Sequence, residues 1–129
     1  MILGIGTDLC RIDRIRRSVD HFGDAWLDEL FTAKEKTWCS SVPDRGLAVA
    51  VAFGCKEASA KALGTGFSGT IDPRDIELSS SMEVLLHGGA RARLTRMTPS
   101  GHTAKFLVSI SNTGQFAMSI VWLQAIPEA

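Results

Sequence analysis

The chain has 129 residues, of which 45% are hydrophobic and 22% are charged, a composition typical of one globular domain and not of a disordered or fibrous chain. Its 14 basic and 14 acidic residues cancel, so the charge gives no support to general binding of nucleic acid or of a membrane surface. The three cysteines lack disulfide or zinc-type spacing, no signal-peptide pattern is present, and no apolar run reaches the ~18 residues of a membrane span, so we expect a cytoplasmic protein.

A short β-prone run, Ile2 to Ile5, opens the chain. The turn Gly6-Thr7-Asp8 is expected to end it, which would place Asp8 at the carboxyl end of a strand. A carboxylate there could ligate a hard cation such as magnesium, which prefers oxygen ligands. The commoner role of such an aspartate is to cap the following helix. A dinucleotide site is not predicted, since GIGTD lacks the GxGxxG pattern and no βαβ unit follows.

An amphipathic helix is predicted next, with a stop at Gly23, because apolar residues recur at steps of three, four and three. The residues of this apolar stripe are Ile12, Ile15, Val19 and Phe22. A different face of the helix would carry Arg14, Arg17 and His21. Four arginines and one acid lie between positions 11 and 17, and this basic patch could meet an acidic partner, although a solvated helix face is the commoner meaning.

Two further helices are indicated by their start and stop signals. Thr32 and Glu35 have the spacing of a capping box, which predicts a short helix over 33–40. A long central helix, rich in small apolar residues, would begin at about position 43, where a proline suits the first turn, and run to about position 63. Gly64 would end it in the left-handed conformation.

The second half of the chain changes to strand patterns. Residues 76–78 and 82–87 predict two strands, 90–97 a short helix, and 106–111 with 115–124 a final pair of strands. We see no internal repeat and no linker. Helices first and an antiparallel sheet later predict a single α+β domain.

Glu57 and Lys61 lie four residues apart and so share one face of the central helix. This spacing is that of a surface ion pair worth ~0.3–0.5 kcal/mol. It also suits a ligand site, because the helix then passes into Gly64-Thr65-Gly66, where phosphates could approach closely. Magnesium between Asp8 and Glu57, with Lys61 on phosphate oxygens, would make a phosphoryl-transfer site. These residues alone leave both interpretations open.

Five stretches taken together match the pattern of one known family. They are Gly4-Ile-Gly-Thr-Asp-Leu9, Ile12-Asp-Arg-Ile15, Phe31-Thr-Ala-Lys-Glu-Lys36, Phe53-Gly-Cys-Lys-Glu-Ala-Ser-Ala-Lys-Ala-Leu-Gly-Thr-Gly66 and Val108-Ser-Ile-Ser-Asn-Thr113. The chain resembles the holo-acyl-carrier-protein synthase family of 4′-phosphopantetheinyl transferases over its whole length, most strongly over 1–67. The resemblance implies that residues 1–129 form one domain of that fold. In this fold an N-terminal strand and helices accompany a long central helix packed on an antiparallel sheet.

The implied activity is magnesium-dependent transfer of 4′-phosphopantetheine from coenzyme A to a serine of apo acyl carrier protein. The other product is adenosine 3′,5′-bisphosphate, and the reaction serves fatty acid or related biosynthesis. By resemblance, Asp8 and Glu57 hold magnesium, Glu57 helps to activate the serine, and Lys61 neutralises charge on the phosphate oxygens. The family is a homotrimer with its active sites between protomers, and we expect the same here.

The resemblance also implies two binding surfaces. The residues expected to bind coenzyme A are Lys56, Lys61, Gly64, Thr65, Gly66, Ser111, Asn112, Thr113 and Arg45. The acidic recognition helix of the carrier protein is expected on Arg14, with Arg17 and His21 extending that face, and charge there should affect the association rate.

The chain departs from the family pattern at several positions. Ala52 stands where the family usually has arginine, Asn112 where it has histidine, and Arg11 where an acidic residue is frequent. Residues 79–81, three serines, fall near a Gly-Lys-Pro turn that this chain lacks. These departures favour, as the alternative, a catalytically weak or idle homologue that binds a carrier protein or a nucleotide.

Overall fold

The computed structural model describes residues 1–68 and 71–129. Its helices and strands confirm the α+β class. A 3₁₀ turn over Pro73–Asp75 precedes β2. In chain order the elements are β1 (Ile2–Arg11), α1 (Ile12–Phe22), α2 (Asp24–Leu30), α3 (Ala33–Ser40), α4 (Arg45–Ala62), β2 (Ile76–Leu78), β3 (Val84–Leu86), α5 (Gly88–Met97), β4 (His102–Asn112) and β5 (Phe116–Pro127).

The main sheet has three antiparallel strands in the order β1–β5–β4, and β2 pairs with β3 in a separate two-stranded sheet. Alternate residues of β5 point to opposite faces of the main sheet. Its inner residues, among them Ser119, Val121 and Leu123, are buried on the side of the sheet where α4 packs. Its outer residues, Met118, Ile120 and Trp122, are exposed. The sheet therefore has one covered face and one bare apolar face within this chain.

Two glycines let α4 lie directly on the backbone of β1. A Cβ atom added to Gly6 would lie 1.8 Å from the carbonyl oxygen of Ala58, and one added to Gly4 would lie 1.9 Å from that of Ala62. Only hydrogen fits at such distances. This contact brings the second half of β1 alongside the middle of α4, and it fixes where the side chains of the two elements can meet.

Several local predictions are confirmed. Thr32 Oγ1 accepts from the Glu35 amide at 3.2 Å, and Glu35 Oε1 accepts from the Thr32 amide at 3.0 Å, which completes the capping box. Gly23 follows α1, and Gly64 has φ of +79° after α4. Within the described ranges, no helix has both the length and the apolarity needed to cross a membrane.

The predicted end of the first strand is wrong. β1 does not stop at Gly6-Thr7-Asp8 but continues to Arg11, because each of these residues pairs with β5. The glycines that suggested a turn are instead the points of contact with α4. Asp8 thus lies inside the strand, opposite Ser119. It does not cap α1, whose N-cap residue is Arg11 without a side-chain capping bond.

Candidate active site

A cavity of about 380 Å³ lies where β1, α1, α2 and α4 meet. Asp8 contributes a carboxylate from β1, and Glu57 contributes a second one from α4. Arg14 of α1 and Phe53 of α4 also line it. The structure therefore brings together two of the predicted catalytic residues with one residue of the predicted basic face.

Strand and helix geometry explain why the two carboxylates converge. Asp8 has the same strand parity as the buried residues Gly6 and Cys10, so its side chain points toward α4. Gly54 leaves room for it, since a Cβ added there would lie 3.3 Å from Asp8 Oδ2. Glu57 stands one helical turn after Phe53 and reaches the same cavity.

Lys61 completes this group from the next turn of α4. Its ammonium lies 3.4 Å from Asp8 Oδ1 and donates to the Thr7 carbonyl oxygen at 2.8 Å. In the described part of the chain, Lys61 thus forms its ion pair with Asp8 and not with Glu57, the surface pair that the spacing allowed. About half of the lysine side chain remains exposed, so its charge stays accessible to a ligand.

The cavity makes both carboxyl groups less acidic than usual. Burial raises the pKa of Asp8, and the neighbouring Lys61 ammonium only partly opposes this effect. Burial also raises the pKa of Glu57, and the negative charge of Asp8 raises it further, while Lys61 again acts in the opposite direction. Two carboxylates in one cavity repel each other, so a bound cation or a proton would reduce this electrostatic repulsion.

The chemistry of these donors fits a magnesium ion. Asp8 and Glu57 offer oxygen ligands only, which is the preference of this hard cation. Burial and the charge of Asp8 raise the pKa of the nearby Cys10 thiol to about 11, so that sulfur is held protonated and is a poor ligand. In residues 1–68 and 71–129 no group of three or more His, Cys, Asp or Glu side chains converges. Two carboxylates would leave the other coordination positions to water and to phosphate oxygens, as magnesium usually requires.

Lys56 was predicted to bind coenzyme A, but the structure places its side chain inside the protein. Its side chain is only 2% exposed, and its ammonium lies 2.6 Å from Glu35 Oε1. It also donates to the carbonyl oxygens of Pro73 and Ile76. All three ammonium protons therefore have partners inside the protein, and burial lowers the pKa of Lys56 against the opposing effect of Glu35. The residue joins α4 to α3 and β2.

The other residues predicted to bind coenzyme A fall into separate places within one chain. Gly64, Thr65 and Gly66 directly follow α4, and the Thr65 and Gly66 amides both donate to the Ala60 carbonyl oxygen, at 3.2 and 3.1 Å. Arg45 is the first residue of α4, about 18 Å from Glu57 along the helix axis at 1.5 Å per residue. It lines another cavity, beside Asp24, Asp28 and Lys36.

Residues 111–113 lie at the tip of the β4–β5 hairpin and are exposed. Asn112 and Cys10 both pair with Ala117, from opposite sides of β5, so they stand about 10 Å apart across the sheet. The hairpin is thus at the same end of the sheet as the cavity but does not line it.

The predicted carrier-protein surface is continuous. Arg14, Arg17 and His21 line one shallow groove along α1. Arg14 also lines the cavity of Asp8 and Glu57, so the groove opens beside the two carboxylates. Arg14, Arg17 and His21 are all exposed, and Arg17 also forms an ion pair with Asp13 at 3.3 Å.

Sequence reasoning missed α2 and its aromatic residue in the cavity. Trp26 lines the cavity and stacks on Phe53, with ring centroids 6.1 Å apart and an interplanar angle of 26°. Apolar residues at Trp26, Leu27 and Leu30 have helical spacing, and this signal could have revealed the short helix. The aromatic pair forms an apolar wall near the two carboxylates.

Comparison with known proteins gives consistent results. The family model of the 4′-phosphopantetheinyl transferase superfamily matches residues 4–121. The chain is 44% identical to a holo-[acyl-carrier-protein] synthase of Gluconobacter oxydans over 135 residues, which cover 100% of this chain and 86% of that protein. It is 43% identical to one of Methylorubrum extorquens over 131 residues, which cover 98% of this chain and 96% of the relative.

Solved structures agree with the sequence relatives. The holo-[acyl-carrier-protein] synthase of Neisseria meningitidis superimposes with a TM-score of 0.77 at 28% identity, over 96% of this chain and 99% of the other. That of Helicobacter pylori, solved in complex with coenzyme A, gives a TM-score of 0.74 at 25% identity, over 93% of this chain and 99% of the other. The predicted fold is confirmed by these similarities.

Proposed function

The chain belongs to the 4′-phosphopantetheinyl transferase superfamily, and on that premise we propose that it transfers 4′-phosphopantetheine from coenzyme A to a serine of apo acyl carrier protein. The products are holo carrier protein and adenosine 3′,5′-bisphosphate. The observation that carries the proposal is the convergence of Asp8 and Glu57 at one cavity, with the Lys61 ammonium 3.4 Å from Asp8. The chain also matches holo-[acyl-carrier-protein] synthases over its full length.

The reaction joins the serine oxygen to a phosphorus atom and breaks the bond from that phosphorus to the oxygen of the departing adenosine bisphosphate. Glu57 accepts the serine proton, directly or through a water molecule. Its raised pKa makes it a stronger base than an ordinary glutamate. Lys61 faces the phosphate oxygens and stabilises the negative charge that builds up as the diphosphate breaks. Asp8 holds Lys61 in place and keeps the Glu57 pKa high.

Asp8 and Glu57 are the residues that would hold magnesium, which supplies neutralisation of the diphosphate charge when bound. Asp8 and Glu57 also contribute through their fixed positions. Asp8 is fixed by strand pairing and Glu57 by the buried turn around it, so both oxygens are positioned before the substrate arrives.

The groove of Arg14, Arg17 and His21 is the surface proposed for the acidic helix of the carrier protein. Because Arg14 borders both the groove and the cavity, a helix bound there would present its serine to Glu57. Complementary charge would speed the encounter more than it tightens the complex. The three cysteines are free and buried, which suits the reducing cytoplasm where we place this reaction in fatty acid or related synthesis.

We assign the trimer to the bare face of the main sheet. We define this outer sheet face by six of its exposed apolar residues: Ile5, Leu9, Leu107, Met118, Ile120 and Trp122. Such a contiguous apolar surface marks a protein contact. A neighbouring copy would also supply coenzyme A contacts such as Arg45, which within one chain lies in another cavity, about 18 Å from Glu57 along the helix axis.

The direct test is incubation with coenzyme A, magnesium and apo carrier protein from the same organism, followed by mass spectrometry of the carrier. We expect one serine-containing peptide of the carrier to gain the mass of one phosphopantetheine group, with release of adenosine 3′,5′-bisphosphate. If coenzyme A binds but no carrier gains mass, the idle binding module is the better description.

A further inference from the structure

Arg93 of α5 holds the end of the helix that carries Glu57 and Lys61. Its Nε donates to the Leu63 carbonyl oxygen at 2.9 Å. Leu63 is the C-cap residue of α4, and carbonyl groups at the end of a helix lack partners within the helix. A basic side chain that binds such a carbonyl stabilises the helix end. One nitrogen of the guanidinium is enough for this bond.

The rest of the guanidinium lies over Gly64. A Cβ added to Gly64 would be 3.4 Å from Arg93 Nη2, so the absence of a side chain leaves that group uncovered on the glycine side. Gly64 itself is exposed. Within residues 1–68 and 71–129, no carboxylate forms an ion pair with Arg93. The two Nη groups therefore remain as donors for an anion at this loop.

Helix geometry aligns this guanidinium with the candidate active site. Glu57 and Lys61 are four residues apart and share one face of α4. Leu63 and Gly64 follow the end of the helix, two and three residues after Lys61, so Arg93 meets the chain about one turn past Lys61. A carboxylate, an ammonium and then a guanidinium thus follow one another along the end of α4 and the residues directly after it. A lysine and an arginine in this order suit a ligand with two adjacent phosphate groups.

We propose that Arg93 binds the diphosphate of coenzyme A together with Lys61, through its Nη groups, while its Nε fixes the end of α4. This inference rests on the function proposed above and adds a ligand residue from α5. Gly64 is already required by its φ of +79° at the end of α4, and its lack of a side chain also leaves the Arg93 guanidinium uncovered. The positively charged neighbours Arg91 and Arg96 are exposed on the same helix, and neither bonds to residues 64–68 of this loop.

The test compares Arg93→Met with Arg91→Met, which removes the same charge from the same helix. Calorimetry measures binding of coenzyme A and of dephospho-coenzyme A, which keeps the diphosphate but lacks the 3′-phosphate. We expect Arg93→Met to weaken both ligands by about tenfold or more, the scale of one lost charge-assisted contact. Arg91→Met should change each by less than about twofold, a small surface effect. In turnover, Arg93→Met should raise KM for coenzyme A and leave KM for the carrier protein unchanged.

Arg93→Lys keeps the charge and is the second variant, in case the methionine variant does not fold. We expect it to bind coenzyme A more weakly than the wild type, since one ammonium cannot both bind Leu63 and reach the phosphates. Equal binding by Arg93 and Arg91 variants overturns the inference, as does a loss that disappears with dephospho-coenzyme A. If the wild type neither binds coenzyme A nor modifies a carrier, the proposed function itself fails; if it does both and only the Arg93 effect is missing, this inference alone fails.

Discussion

Lys61 and Asp8 are joined across the contact of α4 with β1, with the ammonium 3.4 Å from the carboxylate and 2.8 Å from the Thr7 carbonyl oxygen. The ammonium lowers the pKa of both Asp8 and Glu57 against the effect of burial. It therefore favours the ionised form of two crowded carboxyl groups in the free protein. The same cation serves the free protein and the proposed reaction.

Replacing Lys61 by methionine should separate these two contributions. We expect the pKa of Asp8 and of Glu57 to rise further, because the nearest positive charge is lost. Transfer should fall by about 10²–10³-fold, the usual effect of removing one group that stabilises developing oxyanion charge. Carboxyl carbon NMR titration and steady-state kinetics measure the two effects. Lys105→Met, an exposed lysine on β4, is the control and should change neither.

Neutral substitutions of the two carboxylates should stabilise the free protein while they abolish transfer. The folded state raises the pKa of Asp8 and Glu57, so it disfavours their charged forms relative to the unfolded chain. The wild type therefore loses stability as pH rises through these raised values. Glu57→Gln and Asp8→Asn should increase the free energy of unfolding at pH 7. This gain should vanish below pH 3.8, the ordinary value of aspartic acid, where the wild-type carboxyls are protonated too.

Urea unfolding at the two pH values measures this effect in magnesium-free buffer, and the transfer assay follows activity in the same preparations. Activity should fall by about 10²–10⁴-fold for Glu57→Gln, the typical contribution of a general base. A variant that is less stable than the wild type at pH 7 would show that the carboxylates stabilise the fold. The prediction that their ionised forms lower the free energy of unfolding would then be wrong.

The sequence predicted the local features of this fold better than its long-range contacts. The capping box of Thr32 and Glu35 and the stop at Gly64 depend on neighbouring residues, and both are present. Gly6 suggests a turn because the sequence shows the glycine but does not show that α4 contacts it in the folded chain. Its true reason, the Ala58 carbonyl, lies more than fifty positions away.

In the candidate site, too, local features were predicted better than long-range contacts. The spacing of Glu57 and Lys61 placed them correctly on one helix face, and Asp8 of β1 was a candidate cation ligand from the residues alone. Lys56 is adjacent to Glu57 in sequence but about 100° around the helix, where it meets the buried Glu35 instead of a ligand. A charged residue next to a site residue is a poor guide to the site, because successive helical side chains point in different directions.

The buried pair of Lys56 and Glu35 should dominate the stability of the helical layer. Removing one partner leaves an uncompensated buried charge, so we expect Lys56→Met or Glu35→Gln to cost about 3–5 kcal/mol. The double variant should lose clearly less than the sum of the two, because no single charge is then left alone. Chemical denaturation of the four proteins completes the cycle. Additive losses would mean that the 2.6 Å contact contributes no coupling.

The outer sheet face should control both assembly and activity. Ile120 stands at its centre, paired with Thr7 on β1 and Ser109 on β4. Ile120→Glu would place a charge in the proposed contact, where desolvation is costly, and should convert the proposed trimer to a monomer in sedimentation equilibrium. Thr95→Glu adds the same charge on exposed α5 and should remain trimeric.

Transfer by the Ile120 variant should fall with the trimer, because a lone chain cannot bring Arg45 near its own Glu57. KM for coenzyme A should rise more than kcat falls, since the missing neighbour is expected to bind the donor and not to take part in proton transfer. A monomeric variant with normal KM would mean that one chain holds a complete site. In that case Arg45, which lies far from the carboxylates of its own chain, would not be a coenzyme A ligand, and the monomer would still bind coenzyme A.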